Sequence, residues 1–201
     1  MKKIIYIIIG LGLGFVIYSI LNTGESEQDY VSRLSKERAK KDEFMKSSDQ
    51  SPFVTDPSSF NGLQYFDIDP SLKVNARIET FEQRTIIDIG TSDGKSEKYY
   101  KFALAHFKLY DQPIKLLLLK PVRSLNRNFI FTAFSDQTSG DSTYGGGRYL
   151  DLSFTNAKYV TIDFNTAYNP YCAYNSTFSC PFPPVENILD IPIKGGEKKY
   201  K

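Results

Sequence analysis

Short segments of alternating apolar and polar residues follow one another from residue 72 onward, and they constrain the fold more than any other feature. Leu72–Glu79 alternates strictly, as a strand with one buried face does. Similar runs separated by turn-forming residues predict further strands at 84–89, 99–109, 114–119, 128–134, 148–152 and 158–164. The sequence therefore predicts a mostly β domain, an antiparallel β-barrel or β-sandwich, with an irregular, proline-rich C-terminal segment after Tyr168.

A charge-free apolar run, Ile4–Leu21, precedes this domain. As a helix these residues would cover about 27 Å, close to the roughly 30 Å hydrocarbon core of a bilayer. Lys2 and Lys3 precede the run and acidic residues follow it, so the positive-inside rule places the N-terminus in the cytoplasm and the domain outside. We therefore predict a single-pass transmembrane helix, a signal-anchor embedded in the lipid bilayer. A cleaved secretory signal is the alternative, although no Ala-x-Ala site follows the run.

The next segment, residues 25–51, is strongly polar and rich in good helix formers. It predicts a stalk helix from about Glu27 to Met45 that holds the domain away from the membrane, with Phe44 and Met45 packing onto that domain. The chain is thereby divided into a membrane anchor with short flanks (1–24), a polar helical stalk (25–51) and a β-rich globular domain (52–201).

The charge balance excludes one class of partner. The chain has 25 basic and 23 acidic residues, and without residues 1–24, which contain two lysines and no acid, 23 of each remain. A neutral domain lacks the basic footprint that nucleic-acid binding requires. The single histidine and the two cysteines argue against a multi-histidine metal site and a disulfide-dense scaffold, so we expect no metal. The composition indicates neither a cofactor nor a protein partner.

Four motifs in the second half of the chain carry a resemblance to a known family. They are Thr-Tyr-Gly-x-Gly-Arg-Tyr-Leu, Asp-Phe-Asn-x-Ala-Tyr-Asn-Pro-x-Cys-Ala, Cys-Pro-x-Pro-Pro-x-x-Asn and a Gly-Glu-Lys tail. The matching residues are Thr143–Leu150, Asp163–Ala173, Cys180–Asn187 and Gly196–Lys198, with earlier matches at Phe60–Phe66 and Phe134–Thr138. On these residues the chain resembles the domain of unknown function 1684 family over about residues 30–200. The resemblance implies no particular activity, because none is established for that family.

Familiar site templates do not fit these motifs. Gly145–Gly147 lacks the Gly-Lys-Ser/Thr of a P-loop and does not open a helix as a dinucleotide-binding turn does. Asp163–Asn165 begins like a calcium loop, but Tyr168 stands where that loop needs glycine. A Ser–His–Asp triad would depend on His106, which we interpret instead as a half-exposed histidine within a strand.

We favour a binding module in which the Thr143–Leu150 and Asp163–Asn187 motifs form one pocket for a small polar or anionic ligand. The candidate ligand-binding residues are Asp136, Thr138, Tyr144, Arg148, Asp163, Asn165 and Asn169. A hydrolase is the alternative, with Asp136 or Asp163 as acid or base and Arg148 stabilising negative charge. The third possibility is a purely structural role for the motifs, with Arg148 in a buried ion pair with Asp163 or Asp136.

A short connection joins the strand that begins at Arg148 to the strand that ends near Asp163. If the two strands form an antiparallel hairpin, both residues lie at the same edge of the sheet. We therefore predict that their charged groups are in contact, either directly or through one water. If Arg148 and Asp163 lay on opposite faces of the sheet, both the shared pocket and the ion pair between them would be excluded.

Cys172 and Cys180 are predicted to form a disulfide if the domain lies outside the cytoplasm. Closing a loop of this length would contribute roughly 2.5 kcal/mol in the chain-entropy model. A paired metal site and a catalytic thiolate at Cys172 are the alternatives. The metal site lacks histidine companions, and the thiolate lacks a local histidine base.

Overall fold

The computed structural model of the protein describes residues 25–122, 129–153 and 158–200. Within these ranges one α-helix precedes six β-strands, and short 3-10 turns lie before, after and between them. The bounds are α1 Glu27–Ser47, β1 Lys73–Gly90, β2 Ser96–Leu109, β3 Gln112–Pro121, β4 Phe129–Phe134, β5 Arg148–Ser153 and β6 Tyr159–Asp163.

The six strands form one antiparallel sheet with the order β5-β4-β3-β2-β1-β6. This confirms the predicted antiparallel β fold, in the form of a half-barrel. The predicted hairpin of β5 and β6 is wrong, because β6 pairs with β1, where Lys73 lies opposite Asp163. The curled sheet brings its two edge strands, β5 and β6, near each other. After β6 the chain returns to β5, and Tyr149 and Tyr168 exchange two backbone hydrogen bonds of 2.8 and 3.1 Å.

The strands predicted at 72–79 and 84–89 are one strand, β1, that contains a bulge. Thr80 lies opposite Ala103 and Thr85 lies opposite Lys101, so four residues of β1 face Phe102 alone. The pairing of β2 with β3 shifts register at the same place. Both sheet neighbours of β2 are thus irregular at Phe102, where bulges commonly redirect side chains.

The core occupies both faces of the central strands. All six strands contribute apolar side chains to one large cluster, which also includes Leu189, Ile191 and Ile193. A second cluster lies on the other face of β3 and β4, where Leu117 and Leu119 alternate with members of the first cluster. The proline-rich segment after residue 168 covers this second face. Burial on both faces explains why the β3 sequence is a continuous leucine run.

Helix α1 confirms the helix predicted from Glu27, and it extends beyond the predicted end to Ser47. The described residues form two compact units, divided between Glu37 and Arg38, so the second half of the helix belongs to the β-rich unit. In that unit Met45 packs in a cluster with Phe53, Leu63 and Tyr174, as predicted for Met45. The prediction for Phe44 is wrong, because Phe44 lies at the protein surface, 36% exposed.

The predicted anchor, Ile4–Leu21, lies outside the described residues. Among the residues that the structure describes, no helix is both long enough and apolar enough to cross a bilayer. The signal-anchor and the spacing role of the polar stalk, residues 25–51, therefore stay predictions.

Candidate functional site

Arg148 opens β5 and points into the core, where its side chain is 1% exposed. One guanidinium nitrogen, Nη2, lies 2.7 Å from Oδ2 of Asp136 and donates to the Ile193 carbonyl at 2.8 Å. The other, Nη1, donates to the Gly195 carbonyl, and the guanidinium lies over the Phe134 ring. Burial lowers the pKa of Arg148, and the Asp136 carboxylate opposes that effect by stabilising the cation. The fork of the guanidinium thus joins the β4–β5 hairpin to residues 193–195.

Both carboxylate oxygens of Asp136 also accept hydrogen bonds from within the protein. Its Oδ1 accepts the backbone N–H of Thr138 at 2.7 Å and the hydroxyl of Thr138 at 2.5 Å. The Thr138 and Thr143 hydroxyls are 2.9 Å apart, which closes the tight loop between β4 and β5. Since Oδ2 accepts from Arg148, both carboxylate oxygens are used within the protein. This arrangement favours the structural ion pair between Arg148 and Asp136, one of the two pairs considered from the sequence.

The predicted contact between Arg148 and Asp163 is wrong, because the two strands that carry them are not neighbours and the guanidinium is occupied by Asp136. Asp163 instead caps the 3-10 turn Phe164–Thr166, where its Oδ1 accepts the N–H of Asn165 at 3.0 Å. The Asn165 side chain then accepts from the backbone N–H of Asp69 at 2.9 Å and donates to its carbonyl at 2.7 Å. These two predicted ligand residues fasten one backbone segment to another.

A second buried carboxylate, Glu197, was not among the residues predicted from the sequence. Its Oε1 lies 2.6 Å from Nζ of Lys41 on α1. Its Oε2 accepts the backbone N–H of Asn169 at 2.8 Å and the hydroxyl of Tyr174. Burial and the neighbouring carboxylate raise the pKa of Tyr174 well above its usual range. The signal that could have identified Glu197 is its central position in the Gly-Glu-Lys motif.

Asn187 is completely buried, and its side chain joins β3 to β4. Its Oδ1 accepts the N–H of Leu117 at 2.7 Å, and its Nδ2 donates to the Leu117 and Ala133 carbonyls at 3.0 and 2.8 Å. The two strands pair directly only at Leu119 and Phe131 among the described residues. The amide thus replaces the strand pairing that is missing there.

The seven predicted ligand residues therefore belong to separate hydrogen-bond clusters. Asp136, Thr138 and Arg148 share one cluster, Asn169 belongs to the Glu197 cluster, and Asp163 and Asn165 fix the turn after β6. The seventh, Tyr144, lies near Cys172, with its hydroxyl 3.9 Å from Sγ. The structure brings the first two clusters together through the backbone of residues 193–198.

The two cysteines are free thiols in the structure. They are close neighbours, because the backbone N–H of Cys172 donates to Sγ of Cys180 at 3.2 Å. The disulfide predicted from the sequence thus stays a prediction, with both partners already side by side.

His106 lies in the middle of β2, half-buried, with Nε2 2.8 Å from Oε2 of Glu79 on the neighbouring strand β1. This confirms the interpretation of a half-exposed strand histidine. A cross-strand contact of this kind between polar side chains is an ordinary feature of an antiparallel sheet.

An open cleft of about 570 Å³ lies at the double bulge of β1, β2 and β3. Its volume falls in the range of about 300–1,000 Å³ typical of small-molecule sites. Its lining residues are Thr80, Phe81, Gln83, Arg84, Tyr100, Lys101, Phe102, Lys120, Pro121 and Val122. None of these is acidic, three are cationic and three are aromatic. The cleft combines positive charge with apolar ring surface. Its residues form no recognisable sequence pattern, because only the bulge brings them together.

Two of the cations are held by neighbours. Lys101 Nζ lies 2.7 Å from Oε1 of Glu186, and Lys120 Nζ lies 4.6 Å from the centroid of the Phe102 ring. Phe81, at 39% exposure, presents its ring to solvent. Lys101 and Lys120 are thus positioned by contacts with neighbouring side chains, whereas Arg84 is exposed to solvent.

The comparisons with known proteins agree with this fold. The family "Protein of unknown function (DUF1684)" matches residues 58–198. The solution NMR structure of the uncharacterized protein from gene locus rrnAC0354 of Haloarcula marismortui is similar, with 35% sequence identity and a TM-score of 0.66. The similarity covers 85% of this chain and 95% of that chain. No curated protein shows significant similarity. On both matches, the chain belongs to the DUF1684 family, the family that its motifs resemble.

Proposed function

We propose that the protein is a membrane-tethered, extracytoplasmic binding module that holds a small anionic molecule with an apolar part in the cleft at the double bulge. The observation that carries this proposal is the lining of the cleft, with three aromatic rings, three cations and no acid. Lys101 is paired with Glu186, so Arg84 and Lys120 are the two cations assigned to the anion. Cations attract a carboxylate, sulfonate or phosphate, and aromatic walls favour a ring or acyl group beside it.

We therefore assign the proposed ligand site to the cleft and not to the motif segments. The side chains of Asp136 and Arg148 are 0% and 1% exposed and bind each other, which supports a structural role for this part of the motifs. A hydrolase that used Asp136 would need a carboxyl within reach of its substrate and of water. Because both oxygens of Asp136 accept hydrogen bonds from the protein, we favour binding over hydrolysis.

Binding of phenyl phosphate tests the proposed cleft. Saturation-transfer difference NMR of the full-length protein in lipid nanodiscs should detect phenyl phosphate and should detect benzyl alcohol much more weakly. The double variant Arg84→Gln/Lys120→Gln should raise the apparent Kd at least about tenfold, because each charge-assisted hydrogen bond contributes about 1.5–3 kcal/mol. Affinity should fall as salt is added, since the cleft is open to solvent.

The matched control is Lys108→Gln/Lys115→Gln, which removes two exposed charges from β2 and β3 outside the cleft. This variant should bind phenyl phosphate as the wild type does. Equal loss in both double variants would mean that net charge alone attracts the probe, and it would refute a specific site.

The tether is supported by the charge-free run Ile4–Leu21 behind Lys2 and Lys3. We expect the full-length protein to stay in the membrane pellet after alkaline carbonate washing. The variant Ile8→Lys/Leu13→Lys should be released, since each lysine at the centre of a span costs about 2.5–3.5 kcal/mol. A native N-terminus near Thr23 in protein isolated from its own cells would establish cleavage and overturn the tether.

A further inference from the structure

We propose that Cys172 and Cys180 form a reversible dithiol–disulfide pair whose substrates are small-molecule disulfides, with Cys172 as the attacking thiol and Cys180 as the resolving thiol. This inference is independent of the cleft and of its ligand. It rests on how the two thiols are placed and on how differently they are exposed.

Cys180 is held in place by the turn between β1 and β2. Its backbone N–H donates to the Ser92 hydroxyl at 3.1 Å, and its carbonyl accepts the Ser92 N–H at 2.9 Å. The next residue, Pro181, forms a bridge with Thr91. Only 7% of Cys180 is exposed, so an external disulfide has little access to it. These contacts fix the sulfur where the neighbouring thiol can reach it.

Cys172 is the accessible member of the pair, half-buried in the 3-10 turn Tyr171–Ala173. Its own N–H donates to Sγ of Cys180, and the hydroxyl of Tyr144 points at its sulfur from the loop before β5. An external disulfide can form a mixed disulfide only with the accessible thiol, Cys172. The buried thiol of Cys180 is then placed to attack that mixed disulfide and release the small thiol.

Electrostatics favour the same assignment. The hydrogen bond from the Cys180 thiol, opposed by burial and supported by Ser92 and Tyr144, lowers the pKa of Cys172 to about 6. The same hydrogen bond, together with burial, raises the pKa of Cys180 above its usual range. The other titratable groups close to the pair are Glu97, Tyr99 and Tyr149. The pKa of the Cys172 thiol thus lies below that of the Cys180 thiol, which favours the thiolate at the attacking sulfur.

The reaction balances in two exchange steps. The Cys172 thiolate attacks one sulfur of the small disulfide, the S–S bond breaks, and one small thiolate leaves. Cys180 then gives its proton to solvent and attacks the sulfur of Cys172, which forms the protein disulfide and releases the second small thiolate. The small disulfide is reduced to two thiolates, which take up protons from solvent according to their own pKa, and the protein dithiol is oxidised.

The test uses 5,5′-dithiobis(2-nitrobenzoate) on the reduced, full-length protein in mild detergent. The wild type should release two equivalents of thionitrobenzoate, and its final mass should be lower by two hydrogens, with no adduct. The variant Cys180→Ser should release one equivalent and keep a stable adduct on Cys172. The variant Cys172→Ser should react at least about tenfold more slowly, because Cys180 is buried. A stable wild-type adduct, or faster reaction at Cys180, would overturn the proposal.

The pH profile provides a second readout. The fast phase of the wild type should rise with pH to a plateau with a midpoint near 6, as the thiolate of Cys172 forms. Tyr144→Phe removes a hydroxyl that stabilises this thiolate, so the midpoint should move upward while the unfolding midpoint in urea changes little. A wild-type midpoint at the ordinary cysteine value of about 8.5 would contradict the assignment of the attacking thiol.

Discussion

Replacement of Asp136 by asparagine should lower the free energy of unfolding by about 3–5 kcal/mol, although the two side chains have nearly the same shape. The change leaves the Arg148 guanidinium buried at 1% exposure without its counter-ion. Both oxygens of Asp136 accept hydrogen bonds, one from the guanidinium and the other from Thr138. The N–H₂ group of an asparagine would therefore face a hydrogen-bond donor in either orientation of the amide. Urea unfolding of the full-length protein, followed by circular dichroism of the β-sheet, measures the loss.

Asp141→Asn is the matched control, because Asp141 lies exposed in the same loop. It should change the free energy of unfolding by less than about 0.5 kcal/mol. Phenyl phosphate binding by any Asp136→Asn protein that remains folded should equal that of the wild type. Unchanged stability together with lost binding would return the ligand site to the motif segments.

Asn187→Asp should also lower the free energy of unfolding strongly, by about 3 kcal/mol or more. A carboxylate at this position would replace an amide that donates to the carbonyls of Leu117 and Ala133. The Ala133 carbonyl would lose the donor that Asn187 provides, and the Leu117 carbonyl would keep only the Thr132 hydroxyl. A buried negative charge would face both carbonyl oxygens. The amide also joins β3 to β4, so the loss affects the centre of the sheet.

Asn61→Asp is the comparison for this change, because Asn61 is exposed and its amide donates only to Ser59 nearby, at 3.3 Å. We expect a change below about 0.5 kcal/mol for it. Thermal unfolding of the two variants and the wild type, monitored in parallel, distinguishes the cases. Equal melting temperatures for Asn187→Asp and the wild type would contradict the bridging role of Asn187.

Much of the fold was predictable because local alternation reports which face of a strand is buried. The strands near 99–109, 114–119 and 148–152 were placed within a few residues. The merger of the first two predicted strands was not predictable from alternation, since residues 79–86 are all exposed around the bulge and show no buried face. The neighbour of β6 was also hidden, because strand order depends on how the sheet curls and not on the length of a connection.

The candidate site shows the same limit. The sequence identified Arg148 and both aspartates, but their partners are set by tertiary structure. The motif pattern does not distinguish a guanidinium that clamps a ligand from one that binds the backbone of residues 193–195. The cleft draws its lining from β1, β2 and β3, and its residues carry no motif. When an irregularity in strand pairing brings functional residues together, their positions in the sequence show no characteristic spacing.

The contacts of Arg148 also suggest an order of folding. Its partner Asp136 is 12 residues away on the same hairpin, whereas the carbonyls of Ile193 and Gly195 are 45 and 47 residues away. Contacts of short sequence separation form earlier because they close smaller loops. We therefore expect the ion pair within the hairpin to form before the contacts of Arg148 with residues 193–195. Docking of residues 193–195 is thus expected to be a late folding step, in which the guanidinium exchanges water for backbone carbonyls.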